Sequence, residues 1–277
     1  MNAAAGAPLE LLVDGVACTA SWPLDRGLLY GDGLFETMRV TGGRIRFEAD
    51  HRARLAEGCR RLAIHADLQR IWSAAVATAA RHGEATLRLQ VTRGEAVARG
   101  YVPTGSETPR ALLAAYAPPA PDELPARIRV VSLAQQLGEI PALAGLKHCN
   151  RLEQVLARLA LRAAAPQAFE GLMASSSGRL VSGTMSNVFL ELDGELVTPA
   201  LDRCGVAGVL RAATLREAAA TGTDIRVAEL PFDCLARCTA VALSNARMGL
   251  VNAHELDGRP LPGSVRLAEL AARMSRT

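Results

Sequence analysis

A proline-rich segment near the middle of the chain restricts what the chain can fold into. Residues 117–125 (APPAPDELP) hold four prolines in nine positions, and proline lacks the amide hydrogen that a helix interior or a central strand requires. We therefore predict that the 277 residues form a domain of residues 1–117, a linker of residues 118–125 and a domain of residues 126–277. A long surface loop inside a single domain is the alternative.

The composition excludes several classes of protein. Apolar residues make up 49% of the chain and charged residues 21%, which is typical of a globular protein rather than a disordered one. No apolar run reaches the length of a membrane-spanning helix, and a net charge of +3 without a basic run does not favour nucleic-acid binding. The six cysteines contain no C-x-x-C pair, so we predict neither a disulfide framework nor a metal site. No signal peptide is recognisable, and we expect a cytoplasmic enzyme or binding protein.

Strand and helix signals alternate irregularly along the chain, which favours an α+β arrangement of layers over a doubly wound parallel sheet. Before the linker we predict strands at 9–13, 34–40, 45–47 and 86–92, a helix capped by Asp50 and a helix at 67–81. After it we predict strands at 128–133, 169–174, 180–181, 188–192, 225–230 and 239–243, and helices at 150–165, 209–220, 232–237 and 264–274. In the 150–165 helix we expect Leu152, Val155, Leu156 and Leu159 to form the buried face.

Residues 145–150 (GLKHCN) contain the most informative candidate residue. Lys147 lies between the apolar residues Leu146 and Cys149, in a glycine-containing turn before a predicted helix, and no acidic residue stands within three positions. A desolvated lysine becomes a nucleophile that can form an imine with an aldehyde. A solvated surface charge is the alternative.

Several polar segments are candidates for ligand binding. Residues 205–211 (GVAGVLR) place two glycines before a predicted helix, where backbone amides can approach an anion; a plain tight turn is the alternative. Arg54, on the predicted helix after Asp50, is of interest if a phosphate lies nearby. The remaining candidates follow predicted strands, and an ordinary loop or turn is the alternative for each: residues 182–187 (SGTMSN), residues 244–246 (SNA) and the loop with Arg99 and Tyr101.

Taken together and in this order, the motifs resemble the class IV (fold type IV) pyridoxal-phosphate enzymes, a family of branched-chain aminotransferases, D-amino-acid aminotransferases and aminodeoxychorismate lyases. The matching segments, which span nearly the whole chain, are 25–27 (DRG), 30–37 (YGDGLFET), 51–55 (HRARL), 147–150 (KHCN) and 205–211 (GVAGVLR). The resemblance implies a two-domain α+β fold, with a smaller N-terminal α/β sandwich and a larger C-terminal α/β barrel-like domain, in a homodimer.

The resemblance also implies pyridoxal 5'-phosphate as the cofactor and a role for each candidate residue. Lys147 is the implied catalytic residue, which holds the cofactor and then acts as the general base toward a small-molecule substrate. The implied cofactor-binding residues are Arg54, Lys147, Arg151, Ser182, Val209, Leu210 and Asn245, with Arg211 supporting the turn. The implied substrate-binding residues are Tyr30, Arg99, Tyr101 and Asn245, and Phe35 is a further candidate for stacking on a bound ring.

Within the family, residues 147–154 (KHCNRLEQ) are most similar to the lyase branch, which converts 4-amino-4-deoxychorismate into 4-aminobenzoate and pyruvate for folate biosynthesis. At the position of Ser182, family members commonly carry a glutamate that pairs with the pyridine nitrogen of the cofactor. A hydroxyl group there stabilises negative charge on the cofactor less than a carboxylate does. An elimination that forms an aromatic ring tolerates this loss better than a transamination does. A class IV aminotransferase for branched-chain or D-amino acids and a non-catalytic ligand-binding protein remain as alternatives.

Overall fold

The computed structural model describes residues 10–17, 25–95, 100–120 and 127–276. The chain divides into two compact units, Met1–Ala120 with Lys147–Asn150 and Pro121–Leu146 with Arg151–Thr277, which we call the N-terminal and C-terminal units. The linker at 118–125 remains a prediction, because residues 121–126 lie outside the described part. Within the described residues, no helix is long and apolar enough to cross a bilayer.

The N-terminal unit is built on one antiparallel sheet. Its strands are β1 Glu10–Val13, β2 Val16–Ala17, β3 Gly33–Thr41, β4 Arg44–Ile45, β5 Ala85–Thr92 and β6 Arg110–Tyr116, and its helices are α1 Arg26–Tyr30, α2 Glu48–Arg61 and α3 Leu68–His82. The strand order is β2-β1-β6-β5-β3-β4. Side chains alternate along β3, so that Met38 and Val40 are fully buried on the core side. Helices α2 and α3 cover the sheet with apolar residues such as Leu55, Trp72 and Ala75.

Several N-terminal elements differ from the sequence-based expectations. The prediction of Asp50 as a helix cap is wrong: α2 begins at Glu48 after Phe47, and Asp50 lies in its first turn. The predicted strand at 45–47 is two residues long and covers Arg44–Ile45, and residue 9 of the predicted first strand lies outside the described residues. The sequence predicted neither α1 nor β6. Helix α1 has only five residues, which are too few to show a periodic pattern, and β6 lacks the alternation of apolar and polar residues that marks a half-buried strand.

The C-terminal unit contains a nine-stranded mixed sheet. Its strands are β7 Ile128–Leu137, β8 Glu170–Ser175, β9 Leu180–Gly183, β10 Asn187–Leu192, β11 Glu195–Pro199, β12 Ile225–Ala228, β13 Ala240–Asn245, β14 Gly249–Leu256 and β15 Arg259–Pro260. Its helices are α4 Leu152–Ala164, α5 Val209–Ala220 and α6 Val265–Arg276. The strand order is β12-β11-β10-β13-β14-β7-β8-β9, with β15 beside β14. The end strand β9 contacts β10 and β11, so the sheet is strongly curled.

Buried residues from strands along the whole sheet form the core of the C-terminal unit. Leu172, Leu190 and Val241 are completely inaccessible to solvent and belong to one apolar cluster that α6 and the 3-10 turn Phe232–Ala236 border. The two sheets with their covering helices confirm the predicted α+β class, and the curl of the larger sheet agrees with the barrel-like expectation.

The prediction for the buried face of α4 is wrong. Leu152, Val155, Leu156 and Leu159 are each between 50% and 70% exposed. The helix instead buries Ala157 and Leu161 against Leu133, Leu137, Met173 and Val181. The spacing identified an apolar face correctly, but periodicity does not show what covers that face. Here the core covers a different face of the helix, the one that carries Ala157 and Leu161.

Candidate active site

Lys147 is the only lysine in the sequence, and backbone hydrogen bonds hold its segment against β3. The Phe35 amide donates to the Lys147 carbonyl oxygen (2.9 Å), and the Cys149 amide donates to the Gly33 carbonyl oxygen (2.9 Å). The backbone that carries the only side-chain amine of the sequence is therefore hydrogen-bonded to a strand, although the sequence pattern predicted only a turn.

The aromatic ring of Phe35 lies beneath the end of the Lys147 side chain. The Lys147 Nζ atom is 4.2 Å from the ring centroid, and the Arg88 Cζ atom, on β5, is 4.3 Å from the same centroid. The negative face of an aromatic ring attracts cations, so Phe35 is placed to interact with both basic side chains.

Close packing at Gly31 explains the Y-G-D-G part of the N-terminal signature. Gly31 ends α1 with a φ of +66°, and a Cβ atom at this position would lie 2.1 Å from Asn150 Oδ1. The Asn150 Nδ2 group donates to the Gly31 carbonyl oxygen (3.3 Å). Only glycine permits both the backbone conformation and the contact, so residues far apart in the sequence jointly place the lysine segment.

Arg54 belongs to a buried cluster with Glu36 and His51. Arg54 binds both carboxylate oxygens of Glu36, with Nε 2.8 Å from Oε1 and Nη2 on Oε2, and His51 Nδ1 is 2.6 Å from Oε2. Burial opposes ionisation of Glu36, but the charge of Arg54 and the hydrogen bonds from His51 and Arg54 outweigh it and lower the pKa to about 2. The sequence predicted Arg54 as a phosphate ligand but did not indicate that Glu36 orients its guanidinium.

The glycine-rich segment at 205–211 leads into the start of α5. The helix begins at Val209 after Gly208, and no side chain caps its first turn. The first amides of an uncapped helix, which include those of Val209 and Leu210, are suited to an anion. A Cβ atom on Gly208 would lie 1.9 Å from Asn187 Oδ1, so the chain requires glycine there. Arg211 donates to the Pro199 carbonyl oxygen (2.9 Å) and thereby ties α5 to β11.

A buried carboxylate that the sequence analysis missed, Glu170, organises the turn between β9 and β10. Its Oε1 atom accepts hydrogen bonds from the Thr184 amide (3.1 Å) and hydroxyl (2.5 Å), and its Oε2 atom accepts them from the Met185 amide (3.1 Å) and the Ser186 hydroxyl (2.9 Å). Glu170 is completely buried, and these bonds satisfy its charge. The available signal was a single acidic residue within an apolar strand segment.

This turn connects two of the predicted ligand-binding segments of the C-terminal unit. Asn187 Nδ2 donates to the Val206 carbonyl oxygen (2.9 Å), next to the start of α5. Asn245 Nδ2 donates to the Met185 carbonyl oxygen (3.2 Å), and Asn245 Oδ1 accepts the amide of Met248 (2.8 Å). The Asn245 side chain is therefore engaged in holding the end of β13 against the turn.

Ser182 and Arg151 both donate to nearby carbonyl oxygens. Ser182 is 8% exposed, and its hydroxyl donates to the Gly183 carbonyl oxygen (2.9 Å). Arg151, which precedes α4, donates to the Leu146 carbonyl oxygen (3.4 Å). Their predicted roles toward a cofactor remain predictions.

Of the predicted substrate-binding residues in the N-terminal unit, Tyr30 and Tyr101 lie together. Their ring centroids are 5.5 Å apart at an interplanar angle of 65°, an edge-to-face contact. The Tyr101 side chain is 83% exposed. Arg99 lies outside the described residues.

Comparison with known proteins identifies the family. The family model for amino-transferase class IV matches residues 33–256. The chain belongs to the class IV aminotransferase family. Enzymes of this family depend on pyridoxal phosphate, which makes this molecule the cofactor of the chain.

Three class IV relatives show how the similarity is distributed. The crystal structure of 4-amino-4-deoxychorismate lyase from Pseudomonas aeruginosa matches with a TM-score of 0.90 and 40% identity, over 96% of this chain and 98% of that one. Aminodeoxychorismate lyase from Vibrio harveyi is 30% identical over 82% of this chain and 83% of its own length. A putative branched-chain-amino-acid aminotransferase from Methanocaldococcus jannaschii is 28% identical over 85% and 82%.

The donor groups present fit a phosphorylated aldehyde such as pyridoxal phosphate. The N-terminal unit contributes the one lysine amine of the sequence, the group that an aldehyde requires. In the C-terminal unit, the uncapped start of α5 behind Gly208 is suited to a phosphate. When bound, the cofactor supplies an electron sink for charge that develops on the substrate.

Proposed function

We propose that the chain is a pyridoxal-phosphate-dependent lyase that converts 4-amino-4-deoxychorismate into 4-aminobenzoate and pyruvate. The observation that carries this proposal is 40% identity, at a TM-score of 0.90 over nearly the full chain, to the Pseudomonas lyase. The Vibrio lyase and the KHCNRLEQ sequence around the only lysine support the same branch of the family.

In this proposal Lys147 performs the proton transfer. Its amine takes the proton from the ring carbon that bears the substrate nitrogen, and the ring becomes aromatic as the C–O bond to the enolpyruvyl group breaks. The departing enolate takes up one proton in return and becomes pyruvate. Phe35 holds the amine in place. Because aromatisation drives the reaction, the hydroxyl of Ser182 suffices where transamination favours a carboxylate.

In this proposal the other candidate residues bind and orient the cofactor and the substrate. Arg54, the amides of Val209 and Leu210, and Asn245 serve the cofactor phosphate, and Ser182 and Arg151 serve the remainder of the cofactor. Tyr30, Arg99, Tyr101 and Asn245 serve the substrate, whose carboxylates suit guanidinium and hydroxyl donors.

A class IV aminotransferase acting on branched-chain or D-amino acids is the second candidate. The Methanocaldococcus relative covers as much of the chain as the Vibrio lyase does, at an identity only slightly lower. The two activities share the cofactor and the lysine, and they differ in the chemical step after proton removal.

We expect the purified protein, loaded with pyridoxal phosphate, to release pyruvate and 4-aminobenzoate in equal amounts from aminodeoxychorismate without any keto acid. Elimination needs no amino acceptor, whereas transamination stops after one turnover unless an acceptor regenerates the cofactor. Coupling to lactate dehydrogenase measures pyruvate, and fluorescence measures 4-aminobenzoate. Turnover that appears only with an added keto acid and a branched-chain or D-amino acid would establish the aminotransferase instead.

We propose further that the chain forms a homodimer, as the family resemblance implies, and that the apolar stripe of α4 takes part in the interface. Leu152, Val155, Leu156 and Leu159 lie at helical spacing and are all at least half exposed. Soluble monomers rarely expose so continuous an apolar surface, and a two-fold contact would cover the same stripe on both copies.

Replacing Leu156 and Leu159 together with aspartate is expected to dissociate the dimer. Each leucine buried at an interface contributes about 1.5–3 kcal/mol, and two-fold symmetry removes each twice, so the dissociation constant should rise roughly ten-thousandfold or more. Sedimentation equilibrium over a dilution series measures it. Val265→Asp on α6, an isolated site that is 75% exposed, should leave the dimer intact, and a double variant that assembles like the parent would rule out the stripe.

A further inference from the structure

The Asp25-Arg26-Gly27 sequence has no part in the chemistry proposed above, although Asp25 and Arg26 are only 2% and 3% exposed. Asp25 caps α1 by accepting the Gly27 amide (2.7 Å) and also accepts the Thr92 hydroxyl (2.9 Å). A Cβ atom on Gly27 would lie 2.2 Å from Thr92 Cγ2. Asp25 and Gly27 therefore seat α1 tightly on the end of β5, which leaves the role of the buried arginine to be explained.

The guanidinium of Arg26 binds the backbone of the loop that carries Tyr101. Its Nη1 atom donates to the Gly100 carbonyl oxygen (3.2 Å), and its Nη2 atom donates to the Tyr101 carbonyl oxygen (2.5 Å). Hydrogen bonds from a charged donor are stronger than neutral ones, and burial strengthens them further. A single side chain thus restrains two successive peptide groups of a loop.

An ion pair fixes the orientation of Arg26 itself. Arg26 Nε donates to Asp32 Oδ2 (2.9 Å), and Arg93 donates to both oxygens of Asp32 (2.7 and 3.0 Å). Arg93 also donates to the carbonyl oxygens of Leu62 and Ala63 at the end of α2. Asp32 therefore links the arginine under the loop to the helical layer of the unit, which gives the loop a rigid support.

The same arginine also supports the aromatic pair above it. Arg26 Cζ is 4.8 Å from the centroid of the Tyr30 ring, and Tyr30 contacts the edge of the Tyr101 ring. Arg26 thus fixes both the peptide group of Tyr101 and the ring that orients its side chain, while the Tyr101 ring remains 83% exposed.

We propose that Arg26 is a positioning residue that holds Tyr101 in the conformation that binds substrate. The proposal rests on the proposed function, in which Tyr101 contacts the substrate. Arg26 touches neither Lys147 nor the cofactor-binding residues in any contact that the structure records, so its loss should weaken substrate binding and leave the proton transfer and the cofactor in place.

Arg26→Gln is expected to raise KM for aminodeoxychorismate about tenfold, because two charge-assisted hydrogen bonds to the loop are lost, while kcat stays within about threefold. Cofactor affinity and the visible spectrum of the bound cofactor should not change. Arg26→Lys keeps the charge without the forked donor geometry and should recover part of the KM. If Arg26→Gln lowers kcat and cofactor affinity by as much as it raises KM, the role of Arg26 is merely structural and the proposal is overturned.

Arg179→Gln is the matched control, because Arg179 is another largely buried arginine with carboxylate partners, in the C-terminal unit. It should lower the melting temperature without raising KM. Chymotrypsin cleavage after Tyr101 provides a readout independent of turnover: Arg26→Gln should accelerate it and Arg179→Gln should not. If the parent protein proves to have no lyase activity, the proposed function fails, whereas unchanged cleavage at Tyr101 would refute the anchoring by Arg26 in either case.

Discussion

Replacing Lys147 with alanine is expected to abolish lyase turnover and to remove the visible absorbance that pyridoxal phosphate acquires on a lysine amine. The variant loses both the covalent attachment of the cofactor and the general base, and a positioned base alone contributes roughly a hundredfold to ten-thousandfold. No other lysine in the chain can take its place. Steady-state assays and absorbance spectra of the loaded protein measure the two effects.

The single lysine allows a stringent control. Reduction of the loaded parent protein with borohydride should attach the cofactor to one tryptic peptide, the one that contains Lys147, and to no peptide of Lys147→Ala. Lys147→Arg keeps a cation near Phe35 but has no nucleophilic amine, so it should be folded and equally inactive. A variant that retains turnover or spectrum would refute the assignment of Lys147.

The elements that could be predicted from sequence are those with local signals at both ends. The predicted helix at 209–220 coincides with α5, because glycines precede it and Thr221-Gly222 follows it. The α+β class followed from the irregular order of strands and helices. In both cases the determining interactions lie within a few residues of each other.

The sequence motifs name candidate site residues one by one, but they did not indicate the contacts that support those residues. Glu36 and Arg54 are 18 residues apart, and Glu170 and Ser186 are 16 apart; nothing local in the sequence links them. The contacts of Arg26 with the loop span 74 and 75 residues. Motifs identify groups that touch a ligand, whereas the groups that orient them are paired by the folded chain.

The outer face of α4 shows a different limit. Periodicity places Leu152, Val155, Leu156 and Leu159 on one side of a helix, and that part of the prediction is sound. Burial depends on what packs against the helix, and within this chain the core takes Ala157 and Leu161 instead. When a chain leaves an apolar stripe uncovered, the pattern predicts a contact with another molecule and says nothing about the core of one copy.

The second large effect is expected at Glu36, where glutamine should lower the free energy of unfolding by about 3 kcal/mol at pH 7. The ordinary pKa of 4.5 falls to about 2 in the folded protein, and a difference of that size at about 1.4 kcal/mol for each pH unit gives this figure. Glutamine also removes the carboxylate that the Arg54 guanidinium and the His51 ring contact in this buried cluster.

The pH dependence of this effect has a defined sign. Because folding lowers the pKa of Glu36, the stabilisation is complete above about pH 4.5 and is lost as the pH falls toward about 2. Denaturant titrations of the parent and of Glu36→Gln should therefore differ most at neutral pH and converge in acid. Glu57→Gln, which breaks the exposed pair with Arg60 on the surface of α2, should have little effect at any pH. A Glu36 variant as stable as the parent at pH 7 would show that the cluster does not hold Arg54, and cofactor affinity should then also be unaffected.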